Sequence, residues 1–367
     1  MSRLFDKSSI NKMSLKNRFI RAATWEGLAT EKGEVTPELI EMMISLARGG
    51  VGLIISSHSY VSQEGQGSPW QLGVYKDELV PELKKMTLAV HENGGKIVMQ
   101  LAHAGQYADE KLTGFPALAV SDSKDFSEKN IKIITHEDVQ RVVASFSQAA
   151  KRALAAGFDG IEIHSAHGYL LSQFLSPDYN KRQDEYGGSI ENRAGIHLQI
   201  YHAVRKVVGK DYPILIKMNC TDFIENGLTI EDSLQAAKLF ADAGFDAIEL
   251  SGGILRNRKF SPTRTGIKTK DKEAYFREYA REFKSKIKIP LILVGGLRSF
   301  DVADKIIADG MADYIAMSRP LIREPDLINR WEKGDLRKAE CNSDNLCFRP
   351  GFEGKGIYCV TKERMAS

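Results

Sequence analysis

Short apolar runs alternate with amphipathic segments along most of the 367-residue chain. Each apolar run is only as long as a buried strand, whereas the segments between them repeat apolar residues at the spacing of a helix with one buried face. Eight strands are predicted, near positions 18, 53, 98, 161, 215, 248, 292 and 315. Strands that alternate with helices in this way indicate a parallel sheet with right-handed crossovers.

Residue types that favour helix ends punctuate the pattern. Thr36-Pro37 predicts the start of one helix, because Thr is a good N-cap and Pro suits the first helical position. Thr135 with Asp138, and Thr229 with Asp232, resemble the capping box, with Asp in place of the usual Glu.

The chain also repeats itself. Residues 149–163 (AAKRALAAGFDGIEI) are similar to residues 236–250 (AAKLFADAGFDAIEL), and residues 304–317 form a looser third copy. Each copy predicts an amphipathic helix, a glycine, an acidic residue and a short buried strand. Eight such units suit a closed barrel better than a doubly wound open sheet, because no G-x-G-x-x-G motif follows a first strand. We predict an α/β fold, a (β/α)8 TIM barrel over residues 1–335 as a single domain, with a C-terminal extension over residues 336–367.

Composition and charge narrow the class of protein. The formal net charge is +3, which is too weak to indicate binding to nucleic acid or to a membrane surface. No apolar run is long enough to span a bilayer, and the N-terminus lacks the apolar region of a signal peptide. Four cysteines in a chain of this length do not form a disulfide scaffold. We therefore expect a cytoplasmic protein that acts on a small molecule, and a homo-oligomer is compatible with these features.

Candidate chemistry lies where the predicted strands end, the face that holds the active site in barrels of this type. His164, His167 and Tyr169 follow one strand within the stretch IEIHSAHGYLLSQFLSP (161–177). Imidazole N–H groups can hold a developing oxyanion, and a phenol can deliver a proton beside it. Either histidine alone could be an ordinary polar residue of the core, but the combination predicts a site.

The last two strands end in a different kind of chemistry. Gly295-Gly296 and Ser318-Arg319 follow strands seven and eight, where barrels of this type usually bind phosphate. Gln100 and Lys217 end two strands between this side and the histidines. The arrangement predicts a phosphorylated planar ligand that lies across the barrel mouth.

Longer stretches carry a resemblance to a known family. They are Asn17-Arg18, MQLAHAG (99–105), HSAHGYLLSQFLSPDYNKRQDEYGGSIENR (164–193), VGGLR (294–298) and SRP (318–320). The chain resembles the Old Yellow Enzyme family, flavin-dependent ene-reductases on a (β/α)8 barrel. Within it, the chain is most similar to the bacterial branch related to the barrel domains of 2,4-dienoyl-CoA reductase and trimethylamine dehydrogenase. The resemblance covers essentially the whole chain.

The resemblance implies FMN as the cofactor and NADH or NADPH as its reductant. It implies an electron-poor C=C bond in the substrate, as in enones, enoates and nitroalkenes. It further implies that His164 and His167 hold the oxygen of the activating group, that hydride from flavin N5 reaches the β-carbon, and that Tyr169 protonates the α-carbon. With Trp25 these three residues form the implied substrate site. The flavin-binding residues implied are Ala23, Thr24, His58, Gln100, Lys217, Gly253, Gly296, Ser318 and Arg319.

Two departures from the family pattern leave alternatives open. In this family the position beside flavin N5 is usually Thr or Cys. Counted without gaps from Asn17-Arg18, this position is Trp25 here, and a shift of one residue makes it Thr24.

The C-terminal extension contains a near-copy of the four-cysteine iron–sulfur motif of larger relatives, with an Asp in the second position. Because such clusters prefer four thiolates, we expect a loop with free thiols here, and a labile cluster with carboxylate ligation is the alternative. The motif positions are Cys341, Asp344, Cys347 and Cys359.

Three other functions compete with the ene-reductase. One is a flavin-dependent dehydrogenase or demethylase of the trimethylamine dehydrogenase type. Another is a metal-dependent barrel hydrolase with His164 and His167 as ligands, although no carboxylate cluster at the other strand ends completes a metal sphere. The third is a flavin-binding protein without turnover, against which Tyr169 argues, because a binder needs no proton donor.

Overall fold

The computed structural model of the protein describes residues 2–122 and 130–366. Its strands, in chain order, are β1 (Ser8–Ile10), β2 (Met13–Leu15), β3 (Phe19–Arg21), β4 (Leu53–Tyr60), β5 (Ile97–Ala102), β6 (Ala117–Ala119), β7 (Ile131–Ile133), β8 (Gly160–Ser165), β9 (Ile214–Asn219), β10 (Ala247–Ser251), β11 (Leu291–Val294) and β12 (Tyr314–Met317).

The helices alternate with the strands. They are α1 (Pro37–Arg48), α2 (Val80–Glu92), α3 (Glu110–Thr113), α4 (His136–Ala155), α5 (Leu170–Leu175), α6 (Ile190–Arg193), α7 (Gly195–Val208), α8 (Ile230–Ala243), α9 (Arg277–Lys286), α10 (Phe300–Ala308), α11 (Arg319–Arg323), α12 (Leu327–Glu332), α13 (Arg349–Phe352) and α14 (Val360–Ala366).

Eight parallel strands close into a barrel in the order β3-β4-β5-β8-β9-β10-β11-β12, and β12 pairs with β3. These are the eight strands that the hydrophobic pattern predicts, so the (β/α)8 TIM barrel is confirmed. Every residue of β8, β9 and β10 is buried, because helices cover the outside of the sheet while its inner face packs on itself. For this reason the strands appear in the sequence as apolar runs and not as alternating patterns.

The hairpin β1–β2 fills the end of the barrel opposite the mouth, and the hydrophobic pattern did not predict it. Ile10, Met13 and Leu15 pack with inward side chains of the barrel, among them Leu53 and Ile292. The hairpin therefore closes one end of the barrel with apolar side chains and leaves the other end for chemistry.

The segment after residue 335 packs across the mouth of the barrel. Ala339 N–H donates to Arg298 O at 2.9 Å, and Ile357 N–H donates to Glu26 O at 2.8 Å. Both acceptors follow the C-terminal ends of barrel strands, so this segment covers the face that holds the predicted site. The division into a domain over 1–335 and an extension over 336–367 stays a prediction.

No helix in residues 2–122 and 130–366 is long and apolar enough to cross a membrane.

The predicted capping box of α4 is present in both directions. Thr135 Oγ1 accepts the Asp138 N–H at 3.2 Å, and Asp138 Oδ2 accepts the Thr135 N–H at 3.0 Å.

Thr135→Ala should lower the free energy of unfolding by about 1 kcal/mol, because an N-terminal N–H of the helix loses its acceptor. Urea unfolding followed by circular dichroism measures the change. Ser145→Ala, at a part-exposed position of the same helix, is the control and should change it by less than about 0.5 kcal/mol. Equal losses in the two variants would contradict the role of the cap.

Candidate active site

A cavity of about 390 Å³ opens at the C-terminal ends of the barrel strands. Its wall contains all but one of the residues that the sequence predicts for the site. These are Ala23, Thr24, Trp25, His58, Gln100, His164, His167, Tyr169, Lys217, Gly296, Ser318 and Arg319. The structure therefore brings together groups that are nearly three hundred positions apart in the chain, although their roles stay predictions.

Gly253 is the predicted residue that does not line this cavity. Its φ is +81°, and a Cβ at this position would lie 1.9 Å from Phe260 O. The glycine is needed because the backbone of the following loop approaches closely and the chain turns through a left-handed conformation. That Gly253 binds the cofactor stays a prediction.

His164, His167 and Tyr169 form one cluster at the end of β8. The ring centroids of His164 and His167 are 5.3 Å apart, and those of His164 and Tyr169 are 5.0 Å apart. His167 has a φ of +65°, which is unusual for a residue with a side chain. Two hydrogen bonds hold it there: its N–H donates to Asn219 Oδ1 at 3.2 Å, and its Nε2 bonds Ser251 Oγ at 2.8 Å.

His58, for which the resemblance implies a contact with the flavin, belongs to this cluster. Its Nε2 is hydrogen-bonded to the Tyr169 hydroxyl at 3.1 Å. A register shift between Ile55 and His58 inserts one extra residue into β4 opposite β5, so that His58 pairs with Gln100. Because side chains alternate along a strand, such a bulge changes which face the following side chain takes. The bulge thus turns His58 into the cavity, and no local sequence pattern predicts it.

Burial keeps the four groups of this cluster neutral near pH 7. It lowers the pKa of His58 to about 4, and the positive charge of Lys217 adds to the effect. Burial also lowers the pKa of His164 and His167 well below the usual value, and neighbouring imidazoles and Lys217 contribute. Burial raises the pKa of Tyr169, so its hydroxyl keeps its proton. The histidines can therefore offer N–H groups without positive charge, beside a phenol that retains its hydrogen.

The opposite side of the cavity suits an anion. Arg319 is nearly buried and donates to Asn345 Oδ1 at 2.6 Å, and it forms no ion pair with any acidic group of the described chain. Ser318 Oγ lies 2.7 Å from Thr24 Oγ1. Gly296 has a φ of +70°, and a Cβ there would lie 2.8 Å from the Tyr275 ring. A guanidinium without a carboxylate partner, next to a hydroxyl and a glycine turn, fits a phosphate group.

Gln100 and Lys217 lie between the two sides, and each is held by a buried glutamate. Gln100 Nε2 donates to Glu162 Oε2 at 2.6 Å, and Lys217 Nζ donates to Glu249 Oε1 at 2.8 Å. Sequence reasoning assigned no role to either glutamate, although each is a charged residue within an otherwise apolar predicted strand. A charged residue in a predicted buried strand needs a polar partner, and this is the feature of the sequence that could have identified both glutamates.

Thr24 and Trp25 both line the cavity but face different neighbours. Thr24 bonds Ser318, on the side that suits phosphate. The Trp25 indole donates to Pro69 O at 3.1 Å, and its ring lies 4.7 Å from that of Phe352 in the C-terminal extension. Which of the two lies beside flavin N5 stays a prediction.

Several lining residues had no predicted role. Ser251 orients His167, and Tyr275 packs against the glycine turn. Phe348 and Phe352 come from the C-terminal extension. No local pattern in the sequence shows that this extension folds back over the mouth, so these two residues could not be found without the structure.

The cysteine motif of the extension surrounds a separate, very small cavity of about 10 Å³, which Cys341, Asp344, Cys347 and Cys359 line together. Asp344 already accepts hydrogen bonds from Thr361 Oγ1 and from the Leu346 N–H. Within the described ranges, no group of three or more His, Cys, Asp or Glu side chains could hold a metal ion. Whether the cysteine motif binds a cluster stays a prediction.

The fold and the cavity define a class: a (β/α)8-barrel enzyme with an anion site opposite a neutral imidazole–phenol cluster. The sequence profile of the NADH:flavin oxidoreductase / NADH oxidase family matches residues 3–338. The chain belongs to this family, whose flavin is FMN.

Individual proteins support this membership. The NADH oxidase of Thermoanaerobacter brockii is 36% identical over 347 residues, which are 92% of this chain and 52% of that protein. The NADPH dehydrogenase of Bacillus subtilis is 36% identical over 326 residues, which are 88% of this chain and 92% of that protein. The solved structure of an old yellow enzyme homologue from Zymomonas mobilis is similar with a TM-score of 0.79 at 29% identity, over 98% of this chain and 97% of that one. The chain thus spans about half the length of the Thermoanaerobacter relative.

If Arg319 binds the FMN phosphate, Arg319→Ala should weaken FMN binding by roughly 10- to 100-fold, the loss of about 1.5 to 3 kcal/mol expected for a charged hydrogen bond. Titration of the apoprotein with FMN, followed by flavin fluorescence, measures this. Arg323→Ala is a matched control, because Arg323 lies on the same helix with the same 7% exposure but pairs with Glu340 away from the main cavity. An equal effect of the two substitutions would mean that Arg319 acts only through folding.

Proposed function

We propose that the chain is an FMN-dependent oxidoreductase that uses NADH or NADPH to reduce the C=C bond of activated alkenes such as enones, enoates and nitroalkenes. The observation that carries this proposal is the cluster of His164, His167 and Tyr169, all neutral, in one cavity with an uncompensated Arg319. Such a cavity can bind a phosphorylated cofactor on one side and a polar substrate on the other.

His164 and His167 hold the oxygen of the activating group. Their N–H groups donate to an oxygen that becomes more negative as the alkene is reduced, so the hydrogen bonds strengthen during the reaction. Ser251 and Asn219 keep His167 in its left-handed conformation and fix the direction of its ring. The fixed ring costs no reorganisation during the chemical step.

Tyr169 donates the proton to the α-carbon. Its hydroxyl is buried and keeps its proton, and it lies beside both His164 and His58. The hydrogen bond from His58 stabilises the phenolate that remains after proton transfer. We thus propose that His58 assists Tyr169 as proton donor, in addition to the contact with the flavin that the resemblance implies.

Bound FMN would supply the hydride, with NADH or NADPH as its reductant. Lys217 would provide a positive charge that favours the negative charge produced by reduction. Gln100 would donate hydrogen bonds to the flavin, and Arg319 with Ser318 would hold the phosphate.

Two measurements on the purified protein test the whole proposal. A visible spectrum should show bound flavin, and cyclohexenone should accelerate the oxidation of NADH or NADPH. A flavin spectrum without acceleration by any enone, nitroalkene or maleimide would leave a flavin-binding protein. The dehydrogenase or demethylase alternative shares the flavin site, and oxidation of an amine without an alkene would favour it.

We expect Tyr169→Phe to retain FMN and its reduction by NAD(P)H but to slow alkene reduction by about 10²-fold or more, the contribution typical of a general acid. Stopped-flow kinetics of the two half-reactions separate these effects. Tyr179→Phe is the control, since Tyr179 is a buried tyrosine that bonds Tyr107 and does not line the cavity. Unchanged alkene reduction in Tyr169→Phe would assign proton donation to another group.

The double variant His164→Ala, His167→Ala should lose the charge-transfer absorption that phenols give when they bind over the oxidised flavin. The phenol oxygen loses both N–H donors, while the flavin site is unaltered. A control double variant, His91→Ala with His136→Ala, removes two histidines that lie outside the cavity and should keep the band. A band that persists in the His164–His167 variant would remove these residues from the substrate site.

A further inference from the structure

Four polar side chains lie inside the barrel next to the cavity: Gln100 on β5, Glu162 on β8, Lys217 on β9 and Glu249 on β10. The two glutamates have no exposed surface at all, and Gln100 and Lys217 are 2% and 4% exposed. These strands are consecutive neighbours in the barrel. We call the four residues the interior network.

The internal repeat brings the two glutamates together. Glu162 and Glu249 occupy the same position in the copies GFDGIEI and GFDAIEL, and these copies form β8 and β10. In a (β/α)8 barrel, alternate strands contribute their inward side chains to the same layer. The repeat therefore places two carboxyl groups in one buried layer.

Hydrogen bonds account for only half of the carboxyl oxygens. Glu162 Oε2 accepts from Gln100, and Glu249 Oε1 accepts from Lys217. The remaining oxygens, Glu162 Oε1 and Glu249 Oε2, are buried and receive no hydrogen bond from any donor in the part of the chain that the structure describes. Two buried acceptors without a donor destabilise the folded protein unless a hydrogen lies between them.

A proton on Glu162 would give both unpaired oxygens, Glu162 Oε1 and Glu249 Oε2, a place in one hydrogen bond. Burial, then the charge of Glu249 and contact with its side chain, raise the pKa of Glu162 well above its ordinary value, although Lys217 opposes them. Two adjacent buried carboxylates cannot both ionise, and Glu249 is the one that pairs with an ammonium group. The protonated oxygen of Glu162 then donates to the free oxygen of Glu249.

We propose that Glu162 is held as a neutral carboxylic acid that donates to Glu249, so that Gln100, Glu162, Glu249 and Lys217 form one continuous hydrogen-bonded network without net charge. Glu162 and Glu249 are positioning residues for Gln100 and Lys217. The effect on bound FMN rests on the proposed function, whereas the protonation of Glu162 does not.

The charge balance of the network has a consequence for the flavin. One carboxylate and one ammonium compensate each other, so the network places no net negative charge beside the cofactor. Ionised Glu162 would add a negative charge there and oppose the negative charge of reduced FMN, which would lower its reduction potential.

Infrared spectroscopy tests the protonation on the protein as purified, with or without flavin. The wild type near pH 7 should show the carbonyl stretch of a buried carboxylic acid, and Glu162→Gln should lose this band. Glu26→Gln is the control, because Glu26 is a second buried glutamate with a raised pKa that pairs with Arg21 outside the network. A spectrum that Glu162→Gln leaves unchanged overturns the proposal, and it does so even if the protein binds no FMN.

The reduction potential of bound FMN gives a second, independent test. Glu162→Gln copies the neutral acid, since its amide can donate to Glu249 and accept from Gln100, so it should fold and leave the potential unchanged. Glu249→Gln removes the only negative charge of the network and should shift the potential to a higher value. A positive shift in Glu162→Gln as large as that in Glu249→Gln would mean that Glu162 is ionised in the native protein, and failure of Glu162→Gln to fold would likewise count against the proposal.

Discussion

The pairing of β12 with β3 is the constraint on which the site depends. It closes eight parallel strands into a barrel, so the carboxyl ends of all eight strands meet around one mouth. Residues far apart in the chain, such as Thr24 and Ser318, come within hydrogen-bond distance only because of this closure. An open sheet with the same strands would place the first and last strand at opposite edges.

The same closure excludes water from the polar groups inside the barrel, and this sets their protonation. Burial favours the neutral forms of His58, His164 and Tyr169, so the substrate side of the cavity is polar without charge. On the other side, Arg319 keeps a charge that no acidic residue of the described chain compensates. The contrast between the two sides, more than any single residue, fits a cavity that binds an anionic cofactor and a polar substrate together.

The C-terminal extension adds the part of the cavity that the barrel itself does not provide. Phe348 and Phe352 belong to it, and Phe352 packs on Trp25. The barrel and the extension therefore meet in one aromatic wall of the cavity.

The pattern of apolar runs was enough to predict the eight strands, the barrel and most of the cavity lining, because buried parallel strands appear as such runs and the residues that follow them must meet at the mouth. It did not predict the hairpin β1–β2, the bulge that turns His58 toward Tyr169, or the close backbone approach at Gly253. That Glu162 and Glu249 share one buried layer follows from the closed barrel and not from any local pattern. Local patterns record burial and periodicity, whereas hydrogen-bond partners and protonation depend on distances between strands that are remote in the chain.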